Sequence, residues 1–213
     1  YVTKYAKNET TPALRAGHLF HTAILEPEKY DKIKFIDVQS RNTKKFKEAV
    51  QEFGEVFTAK EQSENERLVD AMLKNPKSID LLSDSKSEVP AIGNVMGMPF
   101  RGKADVLKNK GGNIIDLKTT VDVQNFHKSA FRYKYTLQAA IYLELFSTPE
   151  KQLTHKDFTF LCIDKSNLDI GVWNCSEEFI EYGKRELQRG IEMYKTYIRP
   201  DFDINDYTIQ GTL

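Results

Sequence analysis

The chain has no surplus charge: 31 Lys and Arg are matched by 31 Asp and Glu, so no global field draws it to a polyanion. Any contact with nucleic acid has to come from local basic patches, which argues against a coating protein but not against an enzyme. Cysteine is scarce as well. Cys162 lies in an apolar, strand-like run and Cys175 just after Trp173, and both read as buried or incidental thiols of a reducing compartment. There is no run of about 18 apolar residues to span a membrane. No signal-peptide pattern opens the sequence, so a cytoplasmic location is expected. Internal repeats, low-complexity segments and an obvious linker are also missing. One domain over residues 1–213 is therefore the economical reading, with a helical part at 1–77 and a core at 78–213. The first residue is Tyr1 rather than Met, which fits a trimmed fragment.

What is present has the punctuation of a mixed α/β layer architecture. Thr11-Pro12 marks a helix start, and apolar periodicity predicts a helix from Leu14 to Leu25 that stops before Pro27, with Leu14, His18, His21 and Leu25 on one face. Two charged segments, 43–54 and 60–74, predict further helices in a peripheral layer. Phe46, Val50 and Phe53 form the inner stripe of one, and Leu68, Met72 and Leu73 that of the other. Residues 78–87 read as a polar connection. Strands are expected at 88–95 and 98–107 across Met96-Gly97, with Pro90 marking the first as an edge, and then at 113–118. Residues 125–146 predict one long amphipathic helix without interior Pro or Gly. Strands at 158–163 and 170–173 follow, then a helix from Ser176 that Pro200 ends, then an irregular tail.

The chemistry concentrates in the hairpin Gly102-Lys-Ala-Asp105-Val-Leu followed by Ile114-Ile-Asp116-Leu-Lys118-Thr, joined by Asn109-Lys-Gly-Gly112. A turn symmetric about Lys110-Gly111 sets Asp105 opposite Asp116. Opposed positions on antiparallel strands bring Cβ atoms to roughly 4.5–5.5 Å, where like charges are destabilising unless a cation neutralises them. Alternation puts Lys118 on the same face as Asp116, while Ile115 and Leu117 face a core. The bland alternative is an exposed hairpin decorated with charges. The second hairpin brings Glu88 to the level of Asp105 or Val106, as a third carboxylate or a surface acid. Hard oxygen donors of this kind suit Mg²⁺, with Mn²⁺ as a substitute, rather than zinc. Asp105 and Asp116 would hold the ion and Lys118 would supply an ammonium beside a phosphoryl group. His21 read alone is more often a satisfied histidine than a ligand. Gln138 and Tyr142 project together from their helix to meet a phosphate or a terminal base, or to close the sheet, and Arg101 and Lys103 are further candidate substrate contacts.

Asp105 followed by Asp116-Leu-Lys118 resembles the PD-(D/E)xK nuclease signature, with a departure at its proline slot. Gly17-x-x-x-His21, Leu25-Glu-Pro27, Arg101-Gly-Lys-Ala-Asp105, Asp116-Leu-Lys118-Thr-Thr and Gln138-x-x-x-Tyr142, in that order, more specifically resemble RecE-type phage exonucleases (exonuclease VIII). The resemblance implies a restriction-endonuclease-like core, a mixed sheet of about five strands flanked by helices, with an N-terminal helical layer. It also implies Mg²⁺-dependent 5′ to 3′ digestion of linear double-stranded DNA from its ends, feeding a single-strand annealing protein, in a bacterial or phage-infected host. Ring-shaped homo-oligomers, His21 as a third metal ligand and a metal-facing carbonyl at Leu117 are further implications of the likeness, and Gln138 and Tyr142 match a helix motif of RecB-like nucleases. Family members usually carry a segment ahead of the first helix that is expected to be missing here. The cysteines of iron-sulfur relatives are absent. The alternatives are a PD-(D/E)xK endonuclease of restriction or repair, and a DNA-binding protein that keeps the fold without the chemistry.

Overall fold

A computed structural model describes residues 11–198. Helix α1 (Pro12–Leu25) starts where the Thr11 hydroxyl accepts the Leu14 N–H at 3.2 Å, with Pro12 at the first position. The short α2 (Pro27–Tyr30) follows. Strands β1 (Phe35–Ile36) and β2 (Phe57–Thr58) pair in parallel, with α3 (Lys44–Phe53) between them in sequence. Thr58 then opens α4 (Ala59–Lys74) through a reciprocal cap: its hydroxyl accepts the Glu61 N–H at 3.1 Å and its own N–H donates to the Glu61 carboxylate at 2.9 Å. Helix α5 (Pro76–Leu82) leads into β3 (Ser85–Val95), β4 (Met98–Lys108) and β5 (Ile114–Thr120). Helices α6 (Phe126–Arg132) and α7 (Tyr135–Leu145) precede β6 (Phe158–Asp164) and β7 (Ile170–Asn174), and α8 (Glu177–Tyr197) completes the described chain.

The five long strands form one mixed sheet in the order β3-β4-β5-β6-β7, parallel only between β5 and β6. That parallel pair needs a crossover, which α6 and α7 supply. Helices cover both faces. Against one, α6, α7 and α8 pack Phe126, Ala139, Ala140, Leu143 and Ile180 onto Ile114, Phe158 and Phe160. Against the other, Phe20 of α1 and Leu68 and Met72 of α4 bury onto Val106, Ile115, Leu117 and Leu161. Ile114, Ile115, Leu117, Phe160, Leu161 and Ile163 bury against these helices, so β5 and β6 are held from both sides, and this gives the site on β4 and β5 a rigid floor.

Pro90 lies on β3, an edge strand, where a missing N–H donor is tolerated. Other expectations need correction. Residues 78–87 are not a polar connection: Asn75 accepts the Lys77 and Ser78 N–H groups and Pro76 takes the first turn, so helix α5 forms and β3 starts at Ser85. The single helix expected over 125–146 is two, broken at Lys134, which sits in the left-handed region at φ 61°. The break starts α7 against Gly183 of α8, where an added Cβ would lie 2.1 Å from the Thr136 carbonyl oxygen.

The inner stripes also differ. Phe46 and Ala49 face in, while Val50 and Phe53 are half-exposed and the Lys34 ammonium covers the Phe53 ring at 3.2 Å. In α4, Leu68 and Met72 are buried and Leu73 is exposed. Leu19, Phe20, Thr22 and Leu25 are the buried side of α1, so the face bearing Leu14, His18 and His21 looks into a cleft instead of the core. The expected stop at Pro200 and the tail fall outside the described residues.

Candidate active site

The hairpin takes the register that its turn predicts: Leu107 pairs with Ile114 and Val106 with Ile115. The next step in that register is Asp105 with Asp116, and there the β4–β5 ladder stops. In place of a backbone partner, the Leu117 N–H donates to Asp105 Oδ2 at 2.8 Å. The acid thus satisfies a backbone donor that the ended ladder leaves open, an obligatory requirement in a buried segment. On its far side β5 stays fully paired to β6, with Asp116 opposite Phe160 and Lys118 opposite Cys162. The strand carrying the second acid and the lysine is therefore held rigidly.

Asp116 is almost wholly buried, 1 % exposed. Its Oδ1 accepts a 2.7 Å hydrogen bond from Gln138 Nε2 of α7, and its Oδ2 is ion-paired with Lys118. The Lys118 ammonium also lies 4.7 Å from the centre of the Tyr135 ring. His21 Nδ1 approaches Asp105 Oδ2 to 3.5 Å. Tyr135 was not foreseen, although it stands three residues before Gln138 and so shares its helix face, a spacing legible in the sequence.

Burial decides the electrostatics. It pushes the Asp116 carboxyl up to about 6, with the Asp105 charge adding to the rise and Lys118 opposing it. Burial also acts upward on Asp105, but the hydrogen bond and charge of His21, the charge of Lys118 and the Leu117 N–H outweigh it and hold Asp105 below the usual carboxylate range. For Lys118 burial acts downward, and the two aspartates more than reverse it. The lysine therefore keeps its proton, and a general-base role for it is disfavoured.

Glu88 sits across the hairpin from Asp105, between the pairs Ser87–Val106 and Val89–Ala104, at φ 54°. A left-handed glutamate in a strand is strained and interrupts the ladder. Its carboxylate is ion-paired with Lys103, and both residues line the same cleft as Asp105. Tyr142 stands apart from the aspartates: its hydroxyl donates to the Lys103 carbonyl at 3.0 Å and fastens β4 to α7. Arg101 is exposed on β4 and does not line the cleft. Leu117 turns its N–H to Asp105.

Among the described residues no set of three His, Cys, Asp or Glu side chains is arranged to hold a metal ion. Asp116 is held by the Gln138 hydrogen bond on Oδ1, while its buried Oδ2 has the Lys118 ion pair but no hydrogen-bond partner. The donor chemistry nonetheless fits a hard divalent cation. A buried carboxylate raised to about 6 beside a second carboxylate is relieved by positive charge, and His21 and Asp105 already face each other.

Comparison with known families bears on the chain as a whole. Residues 1–202 match the model described as a PDDEXK-like domain of unknown function (DUF3799). The chain belongs to this family. Its PDDEXK-like fold is shared by a crystal structure named "Putative exonuclease" from Eubacterium rectale, at TM-score 0.67 and 14% identity over 100% of this chain and 80% of that one. A structure named SSO0001 aligns at TM-score 0.32 and 18% identity over 60% of this chain and 68% of that one. No curated protein matches the chain. Among the described residues, no helix of this PDDEXK-like protein is long and apolar enough to cross a membrane.

Proposed function

We propose that the protein is a divalent-metal-dependent exodeoxyribonuclease acting on the ends of linear double-stranded DNA. The observation that carries the reading is the buried Asp116, pinned by Gln138 and paired with Lys118 one step beyond the end of the β4–β5 ladder. A purely structural hairpin has no use for a carboxylate buried this deeply beside Asp105. Asp105, Asp116 and His21 are the side chains that would hold Mg²⁺ or Mn²⁺, with Lys118 leaving Asp116 Oδ2 to the ion. A bound Mg²⁺ supplies a water of lowered pKa and neutralises a non-bridging phosphate oxygen.

The rest of the chemistry belongs to the chain. Gln138 fixes the rotation of the Asp116 carboxylate by its 2.7 Å bond, and the Leu117 N–H fixes that of Asp105. Lys118 keeps its proton, so it orients a water and offsets charge on the phosphoryl group as an ammonium. The 5′ to 3′ direction, the RecE-type assignment, the annealing partner and a homo-oligomeric ring rest on the five ordered sequence blocks alone. Treating the chain as one nuclease unit rests on the family match across residues 1–202.

The test is digestion of the same DNA in closed-circular and linear form with Mg²⁺. Loss of the linear form with the circle spared is the expected result. Cleavage of the circle would move the protein to the endonuclease class, and sparing of both would leave a DNA-binding role.

A further inference from the structure

The cleft beside Asp105 encloses about 880 Å³, and much of its wall is not of a kind that grips a phosphate backbone. Leu14, Val121 and Tyr133 line it and are 63 %, 69 % and 59 % exposed. Large apolar side chains left so open around an acidic site mark a surface that meets something flat and apolar. Lys165 lines the same cleft with Lys103 and Lys118, which are ion-paired with Glu88 and Asp116, and Glu26 and Asp105 line it too, so the wall offers ammonium groups to a phosphate among carboxylates. An unpaired nucleotide combines an apolar face with a phosphate.

Tyr133 and Tyr135 are linked to cations by successive contacts. The Arg132 guanidinium is 5.7 Å from the Tyr133 ring centre, Tyr133 is 6.0 Å from Tyr135 with the planes tilted by 37°, and Tyr135 carries the Lys118 ammonium at 4.7 Å. Cation, ring, ring and cation thus run from the surface to the lysine of the site. Tyr133 occupies the break between α6 and α7, where its N–H donates to the Ser129 carbonyl and Lys134 adopts the left-handed turn. The exposed ring lies at the cleft, at the C-terminal end of α6.

We infer that Tyr133 is a stacking platform for an unpaired base of the DNA strand entering the cleft, a positioning residue that sets the following phosphate against Lys118. This rests on the nuclease reading for its choice of ligand but is tested apart from it. Because every base has a π-face, the platform reads strandedness and not sequence. The protein should accordingly favour a duplex with a frayed or overhanging end over a blunt one.

The experiment uses the whole chain in EDTA and short DNA carrying 2-aminopurine at its terminal base, read by fluorescence quenching. A single strand should quench on binding and a blunt duplex should not. Tyr133→Phe should keep the quenching, whereas Tyr133→Ala should lose it and bind roughly tenfold more weakly. Unchanged quenching and affinity in Tyr133→Ala would overturn the inference, as would equal quenching by the blunt duplex. Tyr133 is more than half exposed, so neither change should unfold the protein, which circular dichroism checks. Cleavage in Mg²⁺ without Tyr133-dependent quenching rejects the platform alone. Quenching without any cleavage in Mg²⁺ rejects the nuclease reading alone.

Discussion

The two halves of the β4–β5 hairpin behave in opposite ways. Near the turn, Val106–Ile115 and Leu107–Ile114 are backbone-paired, and Val106, Ile114 and Ile115 are buried. One residue further on, the ladder gives way to Asp105, Asp116 and Lys118, and the open backbone donor of Leu117 is met by a side chain. The closed half anchors by apolar burial on both faces. The open half uses that anchor to hold charges that would separate in water. Rigid support on one side and an ended ladder on the other are what let a hairpin carry a site.

The sharpest way to break the comparison is at the open half. Lys118→Ala should reduce kcat for DNA hydrolysis by about 10²–10³-fold or more, since it removes the ammonium that faces the developing charge. Thermal unfolding should show a folded protein. A variant that cuts at the wild-type rate removes Lys118 from the chemistry.

The closed half should respond in stability. Ile115→Ala empties a site 2 % exposed, and about 2–5 kcal/mol of unfolding free energy should be lost in a urea titration. A change below about 0.5 kcal/mol would mean that the anchor is not where the packing puts it.

Gln138→Ala sits between the two halves. It leaves Asp116 Oδ1 buried without its 2.7 Å donor, which costs about 1–3 kcal/mol. Metal affinity and turnover should both fall, and Gln138→Glu should be worse because it adds a third carboxylate. Wild-type metal affinity in Gln138→Ala would reduce the residue to packing.

A pH titration sharpens the same point. The Asp116 carboxyl is raised from 3.8 to about 6, so its protonated form is the one the fold favours. Its contribution to stability is full below 3.8 and is lost as pH rises through about 6. A metal competes with that proton, so Mn²⁺ affinity should be flat above about 6 and fall about tenfold per pH unit below it, followed by calorimetry. Affinity that stays level down to pH 4.5 would place the ion elsewhere.

The smallest effect belongs to Tyr142→Phe. Its hydroxyl only fastens the Lys103 backbone, so about 1 kcal/mol of stability and little activity should go.

How far the residues announced this structure can be traced through particular cases. The hairpin register and the Asp116–Lys118 pair were legible because turn residues and strand alternation fix them locally. Helix α1 was legible from Thr11-Pro12 and α4 from the charged segment 60–74 with its Leu68 and Met72 stripe. Lys134 was not, because a left-handed lysine carries no local signal and follows from where α8 lies. The shared face of Leu14, His18 and His21 was legible, but periodicity does not say whether core or cleft receives it. The parallel β1–β2 pair, two residues a strand, is too short for any pattern to reveal. Asn75-Pro76 is a local helix-start signal for α5 that the polar reading of 78–87 left unused. In the site, the pairing of Asp116 with Gln138 depends on how α7 stacks on the sheet, which no short window contains, and that of Glu88 with Lys103 follows from the left-handed Glu88 interrupting the hairpin.

The most direct test follows release of nucleotides from a 5′-labelled linear duplex by the purified protein, in Mg²⁺ and in EDTA, beside a folded Asp116→Asn variant. The account predicts digestion by the wild type in Mg²⁺ only, and none by the variant. Digestion that persists in EDTA, or that survives in Asp116→Asn, would contradict it.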